Sequence, residues 1–373
     1  MEKKIKIVTV VGTRPNFIKI APLIEEMRKS QRIKPILVHT GQHYDYEMSK
    51  IFFDELKIPE PDYNLGVGSG SHAWQTAKIM EKLEKVLLKE NPNLVIVVGD
   101  VNSTLAGALT AAKLNFPIAH IEAGMRSYDK TMPEEINRLL TDHISDALFV
   151  TSHLDTQNLL KEGIDQREIF LVGNIMTDVL MEQKKKVSNS ILKKLGLQKK
   201  KYALLTLHRA GNVDNKENLK EILSAIKKIS ERIPVIFPVH PRAKKMINFF
   251  GFKRLIKEIP NLFLIKPLSY FQMTSLVKNS KLVLTDSGGL QHETTVLGVP
   301  CLTLRNVTEW LITVKQGTNK VVGTSKENII KEAFKILGSK NRSFLEKRKI
   351  PQYWDGKTAK RIIQILLKYY VRH

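Results

Sequence analysis

Short apolar runs alternate with amphipathic segments along the whole chain, and this alternation limits the possible folds more than any other feature. In the first half the runs are Ile5–Val11, Ile36–Thr40, Leu94–Gly99, Ile118–Ile121, Ala147–Thr151 and Ile169–Val172. In the second half they are Ala203–Leu207, Val235–Pro238, Leu262–Ile265, Leu282–Thr285, Cys301–Leu304 and Lys320–Val322. All are rich in Val, Ile and Leu and apolar on both faces, as parallel strands buried between helix layers must be. Segments of helical spacing, such as 133–144 and 216–229, lie between them. Strand–helix alternation predicts an α/β protein with doubly wound parallel sheets. Twelve strands are too many for one such sheet, so six are assigned to each of two domains.

The division is expected between Gly173 and Lys201, with domains over 1–173 and 174–356 and a short helix near 188–197. Residues 357–371 form one more amphipathic helix, with Ile362, Ile363, Leu366, Leu367 and Tyr370 on a single face. A chain of 373 residues is long enough for two real cores. No apolar stretch is long enough to span a bilayer, so no membrane association is expected. The single cysteine, Cys301, excludes an intramolecular disulfide and fits a reducing cytoplasm. It lies in an apolar run and reads as a small core residue.

The net charge of +23 calls for a partner or a reason. Its lysines are spread along the chain, with local density at 184–186, 193–194 and 199–201, rather than gathered on one face among aromatics. That dispersal argues against nucleic acid. It fits a cationic surface that attracts a small anionic substrate, together with the Lys- and Ile-rich composition of heat-adapted proteins.

In open α/β sheets ligands bind at the carboxyl ends of the strands. The residues placed there are mostly polar: Gly12-Thr13-Arg14-Pro15, Gly41-Gln42-His43, Gly99-Asp100, Glu122-Ala123-Gly124, His208-Arg209, His240-Pro241-Arg242 and Asp286-Ser287-Gly288-Gly289. Ser287-Gly288-Gly289 precedes a helix expected to start near Leu290. Two glycines and a helix N-terminus suit an anion, and Glu293 one turn on suits a ribose hydroxyl. The Arg14 fork matches a diphosphate, with Lys19 one turn further along. Asp100, Glu122 and Glu134 supply three carboxylates for acid/base work, although Asp100 also suits an N-cap and Glu134 the first turn of a helix. His208 can donate to a diphosphate. There is no Gly-x-Gly-x-x-Gly after a strand, no P-loop, no nucleophile elbow and no zinc-type Cys/His spacing, so no bound cofactor and no metal are expected.

Taken in order, Val-Gly-Thr-Arg-Pro, Thr-Gly-Gln-His-Tyr-Asp, Val-Val-Gly-Asp-Val-Asn-Ser-Thr, His-Ile-Glu-Ala-Gly-Met-Arg, Pro-Glu-Glu-Ile-Asn-Arg, His-Arg-Ala-Gly-Asn, Pro-Val-His-Pro and Thr-Asp-Ser-Gly-Gly-Leu-Gln resemble the motifs of the non-hydrolysing UDP-N-acetylglucosamine 2-epimerases, over residues 8–323. The resemblance implies a GT-B-type fold: two Rossmann-like domains facing a central cleft, with the C-terminal helix crossing back to the first. It implies that Asp100, Glu122, Glu134 and His208 are catalytic. Arg14, Lys19, Ser287, Gly288, Gly289 and Glu293 would bind the UDP, with the uracil on a loop from Leu268 to Met273. It implies a cytoplasmic homodimer serving surface glycan synthesis. Bacterial relatives bind a second substrate molecule as activator; here that shell would involve Gln42, His43, Arg209 and His240. Two positions depart from the family pattern. Trp310 stands where bacterial relatives carry arginine, and Gly211 where many carry glutamate.

The implied reaction interconverts UDP-N-acetylglucosamine and UDP-N-acetylmannosamine through a 2-acetamidoglucal. The C2 hydrogen becomes acidic only once the C1–O bond to UDP breaks, so the leaving diphosphate must be stabilised and two acids must work on opposite ring faces. The alternatives are a hydrolysing epimerase that releases N-acetylmannosamine and a GT-B glycosyltransferase.

Overall fold

The computed structural model describes residues 4–42, 60–184, 190–338 and 348–369. Contacts divide the chain into a first unit, Met1–Glu182 with Gln352–His373, and a second, Gln183–Pro351. The division falls after residue 182 rather than 173, because helix Ile175–Lys184 sends Ile175 into the core of the first unit.

The first unit carries β1 (Ile5–Val11), β2 (Ile33–His39), β3 (Tyr63–Asn64), β4 (Leu94–Val98), β5 (Ile118–Ala123), β6 (Ala147–Val150) and β7 (Ile169–Leu171). They form one parallel sheet in the order β3-β2-β1-β4-β5-β6-β7. Its helices are α1 (Arg14–Lys29), α2 (His72–Glu90), α3 (Asn102–Lys113), α4 (Pro133–His143), α5 (His153–Lys161) and α6 (Ile175–Lys184), joined from the far end of the chain by α16 (Thr358–Tyr369). Side chains alternate between faces. Ile7, Val11, Leu94, Ile96 and Val98 pack with Phe17, Ile20, Ile362 and Leu366 from α1 and α16 on one side. Val8, Val10, Val95 and Val97 pack with Ile79, Leu83 and Ala108 from α2 and α3 on the other. Apolar runs without alternation are thus what a sheet covered on both sides requires. The seventh strand, β3, escapes the pattern because it is two residues long and polar.

The second unit holds β8 (Ala203–Thr206), β9 (Val235–Pro238), β10 (Leu262–Ile265), β11 (Leu282–Thr285), β12 (Cys301–Thr303) and β13 (Asn319–Val321) in the order β10-β9-β8-β11-β12-β13. Its helices are α7 (Ser190–Lys194), α8 (Ala210–Val213), α9 (Lys216–Ser230), α10 (Pro241–Phe249), α11 (Lys253–Lys257), α12 (Tyr270–Asn279), α13 (Gly288–Leu297), α14 (Leu311–Lys315) and α15 (Lys326–Leu337). Leu205, Phe237 and Leu284 face one core and Leu204, Ile236, Val283 and Cys301 the other. Burial pushes the Cys301 thiol up to about 12, which suits a packing residue and not a nucleophile. The strand β10 departs from the expectation of two buried faces. It pairs only with β9, and Phe263 and Leu264 stay 51% and 48% exposed.

The C-terminal helix is tied to the first unit by more than its apolar face. The Thr358 and Ala359 N–H groups at its start donate to Asp178 Oδ1 (3.0 Å) and Oδ2 (2.8 Å) on α6. A buried carboxylate therefore caps a helix from a distant part of the chain. Asp178→Ala leaves two buried donors unpaired and is expected to lower the stability of this unit by about 1–2 kcal/mol. Hydrogen exchange should show the amides of 358–362 opening first. Unchanged protection there would show that the apolar face alone docks the helix.

Candidate active site

In both units the strand order reverses beside the first strand, between β1 and β4 and between β8 and β11, which is where ligands bind in such sheets. In the first unit β1 runs into Gly12. A Cβ there would fall 1.9 Å from Ser103 Oγ, so only glycine fits. Asn16 then fastens the start of α1: its Oδ1 accepts from Thr13 N–H (3.2 Å) and Oγ1 (2.8 Å), and its Nδ2 donates to Val98 O at the end of β4 (3.0 Å). The side chain of Arg14 lies outside the described residues, as does His43.

Lys19, one turn along α1, points its Nζ at Glu122 Oε2, 2.5 Å away. Burial pulls the lysine down, but the charges of Glu122 and Asp100 outweigh it and the ammonium is held above its ordinary value. Glu122 is the extra residue of a β-bulge. The pairing of β5 with β6 slips between Ile121 and Ala123, and Glu122 takes φ +70°. A left-handed glutamate is strained, and bulges at strand ends re-aim side chains. Its Oε2 is on Lys19, whereas its buried Oε1 accepts no hydrogen bond from the described residues. Gly99, at φ +73°, closes the group: a Cβ would lie 3.0 Å from Lys19 Nζ and 3.8 Å from Glu122 Oε2.

Asp100 follows, its side chain 29% exposed, with Oδ2 2.5 Å from Arg138 Nη2. Asn137 Nδ2 donates to the Asp100 carbonyl at 2.9 Å. Asn137 and Arg138 both come from α4, one turn after Glu134, which is half-buried on the same face. The neighbouring acid, Glu135, is structural, since its carboxylate accepts from the Ser127 and Tyr128 N–H groups and from Arg138. The first unit thus brings together Lys19, Asp100 and Glu122, with Glu134 on the helix that holds Asp100. Gln42 is buried after the end of β2, its Oε1 accepting from Ser103 N–H (3.1 Å) and Oγ (2.6 Å) at the start of α3.

In the second unit the switch point is organised by Asp286, fully buried at the end of β11. It accepts from the N–H groups of His208 (3.1 Å) and Arg209 (3.0 Å), and sits 3.0 Å from His208 Nδ1. Burial raises its carboxyl, but His208 and the two backbone donors outweigh that and hold it below the ordinary value. With Nδ1 engaged, His208 keeps Nε2 for other partners on a ring that is 38% exposed. The His240 ring lies 5.6 Å away and caps α10, its Nδ1 accepting from Arg242 N–H.

Ser287 is the N-cap of α13, which starts at Gly288, two residues before the expected Leu290. Gly289 is exposed and a Cβ there would come no nearer than 3.7 Å to a neighbour, Ser287 Oγ, whereas a Cβ on Gly288 would meet Glu309 Oε1 at 2.7 Å. Glu309 is balanced by Arg305 (3.0 Å) and Arg209 (3.6 Å). Trp310 is buried beside it with its indole 4.8 Å from the His292 ring, and a Cβ at Gly211 would meet nothing within 4 Å. The segment expected as a loop over 268–273 is helical from Tyr270. Ser269 and Gln272 cap each other, a Ser-x-x-Gln box readable in the sequence. Met273 N–H is committed to Ser269 O at 3.0 Å and its side chain packs on the core, so that amide is not free for a base.

Sequence reasoning alone names Asp286 among the strand-end groups without giving it a role, and does not single out Arg138, Glu309 or Tyr270. Arg138 lies four residues after Glu134, and Asp286 directly follows an apolar strand; both signals are present in the sequence. Among the described residues no group of His, Cys, Asp and Glu could hold a metal ion, and no helix is long and apolar enough to cross a membrane.

The sequence model of the family described as UDP-N-acetylglucosamine 2-epimerase matches residues 25–367. The chain belongs to this family. The epimerase fold explains the paired switch points, and the two parallel-sheet units are of the GT-B type. A Methanococcus maripaludis protein named a UDP-N-acetylglucosamine 2-epimerase homolog is 49% identical over 365 residues, covering 97% of this chain and 99% of that one. The crystal structure of the Methanocaldococcus jannaschii UDP-GlcNAc 2-epimerase in complex with UDP-GlcNAc and UDP is similar at a TM-score of 0.87 and 46% identity, covering 98% and 99%. A Pseudomonas aeruginosa UDP-2,3-diacetamido-2,3-dideoxy-D-glucuronate 2-epimerase is 41% identical, covering 97% and 99%.

One residue of the second unit carries a stability cost that depends on pH. Glu293 on α13 is buried, which pushes its carboxyl up from 4.5 to about 7 against the opposing pull of the Tyr270 hydroxyl. A raised carboxyl contributes stability that is complete below about 4.5 and gone once the pH passes about 7, because the folded state keeps its proton longer than the unfolded chain. The difference is on the order of 3 kcal/mol. Glu293→Gln is therefore expected to be the more stable protein at pH 8 and to lose that advantage near pH 4.5 in thermal unfolding. A variant less stable at pH 8 would mean that Glu293 is compensated by partners when ionised.

Proposed function

We propose that this chain catalyses the reversible C2 epimerisation of UDP-N-acetylglucosamine to UDP-N-acetylmannosamine by eliminating and re-adding UDP. The observation that carries the reading is the likeness, over 98% of the chain, to an archaeal enzyme crystallised with both UDP-GlcNAc and UDP. The local geometry supports it.

The C1–O bond breaks first and its electron pair leaves with the diphosphate. The helix start at Ser287, Gly288 and Gly289, together with His208, takes up that charge. Asp286 engages His208 Nδ1 and leaves Nε2 for the diphosphate. Glu293, ionised, accepts from the ribose. The C2 proton then passes to a carboxylate, leaving a C1–C2 double bond. Protonation of C2 on the opposite face, with return of the UDP oxygen to C1, gives the epimer with all atoms and charges accounted for. Asp100, Glu122 and Glu134 share the two proton transfers. Glu122 has one oxygen fixed by Lys19 and one left over, the arrangement a proton-transfer group needs. Lys19 thereby serves Glu122 rather than only the nucleotide.

A second reading rests on the Pseudomonas relative: the same chemistry on a UDP-sugar with a second acetamido group at C3 and a carboxylate at C6. The C2 chemistry is shared, so the reading changes the substrate and not the mechanism.

Incubation with each UDP-sugar in D2O, followed by NMR, separates the possibilities. The expected result is the manno epimer with deuterium at C2, from UDP-GlcNAc. Turnover of the diacetamido uronate alone moves the assignment to the second reading. Free N-acetylmannosamine with UDP means the hydrolysing reaction, and no exchange with either sugar overturns the proposal. Asp100→Asn, Glu122→Gln and Glu134→Gln should each lower kcat by about 10²–10⁴-fold.

A further inference from the structure

Beneath the carboxylates of the first unit lies a set of buried charges that the reaction scheme leaves unused. His120 on β5 and Asp142 on α4 are both 0% exposed and Arg126 is 1% exposed. His120 Nδ1 is 2.7 Å from Asp142 Oδ1, and His120 Nε2 is 2.8 Å from the Gly99 carbonyl. A carbonyl oxygen can only accept, and an ionised carboxylate can only accept. Both ring nitrogens must therefore carry hydrogen. The other Asp142 oxygen, Oδ2, accepts from the Gly124 N–H at 3.0 Å and lies 2.7 Å from Arg126 Nη1. Arg126 is in turn forked onto Glu162. Burial opposes a charge on Asp142, but His120 and Arg126 outweigh it and hold the carboxyl below its ordinary value. Asp155, whose carboxyl burial pushes up to about 6, is satisfied by Thr151 and Ser152.

The placement of these contacts is specific. His120 is two residues before Glu122 and Gly124 is two residues after it. One carboxylate therefore grips the chain on both sides of the bulge. A glutamate held in the left-handed region is strained, so the surroundings must impose it. We propose that Asp142 is a positioning residue for Glu122: bonded to a doubly protonated His120 on one side and to Gly124 and Arg126 on the other, it holds the bulge that aims Glu122 at Lys19 and at the reacting sugar. Through the Gly99 carbonyl the same imidazolium fixes the residue that precedes Asp100. The proposal rests on the epimerase reading only for what Glu122 does, and not for how it is held.

Asp142→Ala supplies the test. An alanine removes both acceptors at once, so His120 and Gly124 lose the partner they share. Misplacing a reacting group by about 1 Å can cost about 100-fold in rate. The expected result is a kcat lower by about 100-fold with the UDP dissociation constant changed by less than about twofold. Glu162→Gln, which loosens Arg126 from its outer side and leaves both bulge contacts, should lose thermal stability while keeping kcat within about twofold. A folded Asp142→Ala protein with near-normal kcat overturns the proposal. The independent arm is NMR of the wild-type protein with 15N-labelled histidine. His120 should show two protonated, exchange-protected ring nitrogens at neutral pH, and one bare nitrogen overturns the clamp. That arm decides the matter if the variant does not fold, and equally if the wild-type protein turns over neither sugar.

Discussion

A parallel sheet covered by helices on both faces has nowhere to place polar chemistry except at its ends, and that constraint organises both units. Strands such as Leu94–Val98 are apolar at every position because each residue meets a helix layer. Polarity resumes only where the chain leaves the sheet. The reversal of strand order between β1 and β4, and again between β8 and β11, then opens one crevice per unit at that end. Gly12, Gly99, Asp100 and Glu122 lie at the first; His208, Asp286 and Ser287 lie at the second. The stability of the sheet and the location of the chemistry come from the same burial.

Groups drawn into such ends must be compensated, and the protein uses two different solutions. Asp286 and Asp142 are buried carboxylates each given a histidine and backbone donors, and both are held ionised. An ion pair of this kind adds little net stability, because desolvation offsets most of the attraction; its value lies in fixing geometry. Among the described residues no cation pairs with Glu293, which is raised to about 7 instead. A group that destabilises the resting fold at neutral pH and is nevertheless kept there fits a ligand-binding role better than a packing one.

The sequence pattern yields twelve of the thirteen strands found among the described residues and the amphipathic C-terminal helix, because long apolar runs and a 3.6-residue period are local signals. It does not yield β3, whose two residues are held by neighbours on the sheet, nor the exposure of β10, which depends on its being an edge. Candidate site residues are legible as a list of strand-end polar groups. Their division of labour is not. Glu134 and Glu135 are alike in sequence, yet Glu135 is tied to a turn eight residues away and Glu134 is not. Lys19 resembles a phosphate ligand until Glu122 is seen 2.5 Å from it. His120 looks like one more apolar-strand residue until Asp142, 22 positions on, is found against it. Long-range hydrogen bonds decide such roles, and they have no local signature.

The helix α4 shows how closely those roles are coupled. Within three turns it presents Glu134, then Asn137 and Arg138 to Asp100, then Asp142 to the bulge bearing Glu122. Residues 134, 138 and 142 recur at intervals of four and so share a face. Two carboxylates from different strands and a third from the helix are thereby referred to one rigid body rather than to three loops. The proposed epimerisation, which removes a proton from one face of a ring and adds one to the other, needs its acids held at constant separation through two steps. On that proposal, a single helix that carries one acid and anchors the other two would meet the need without requiring any of the strand-end loops to be rigid on its own.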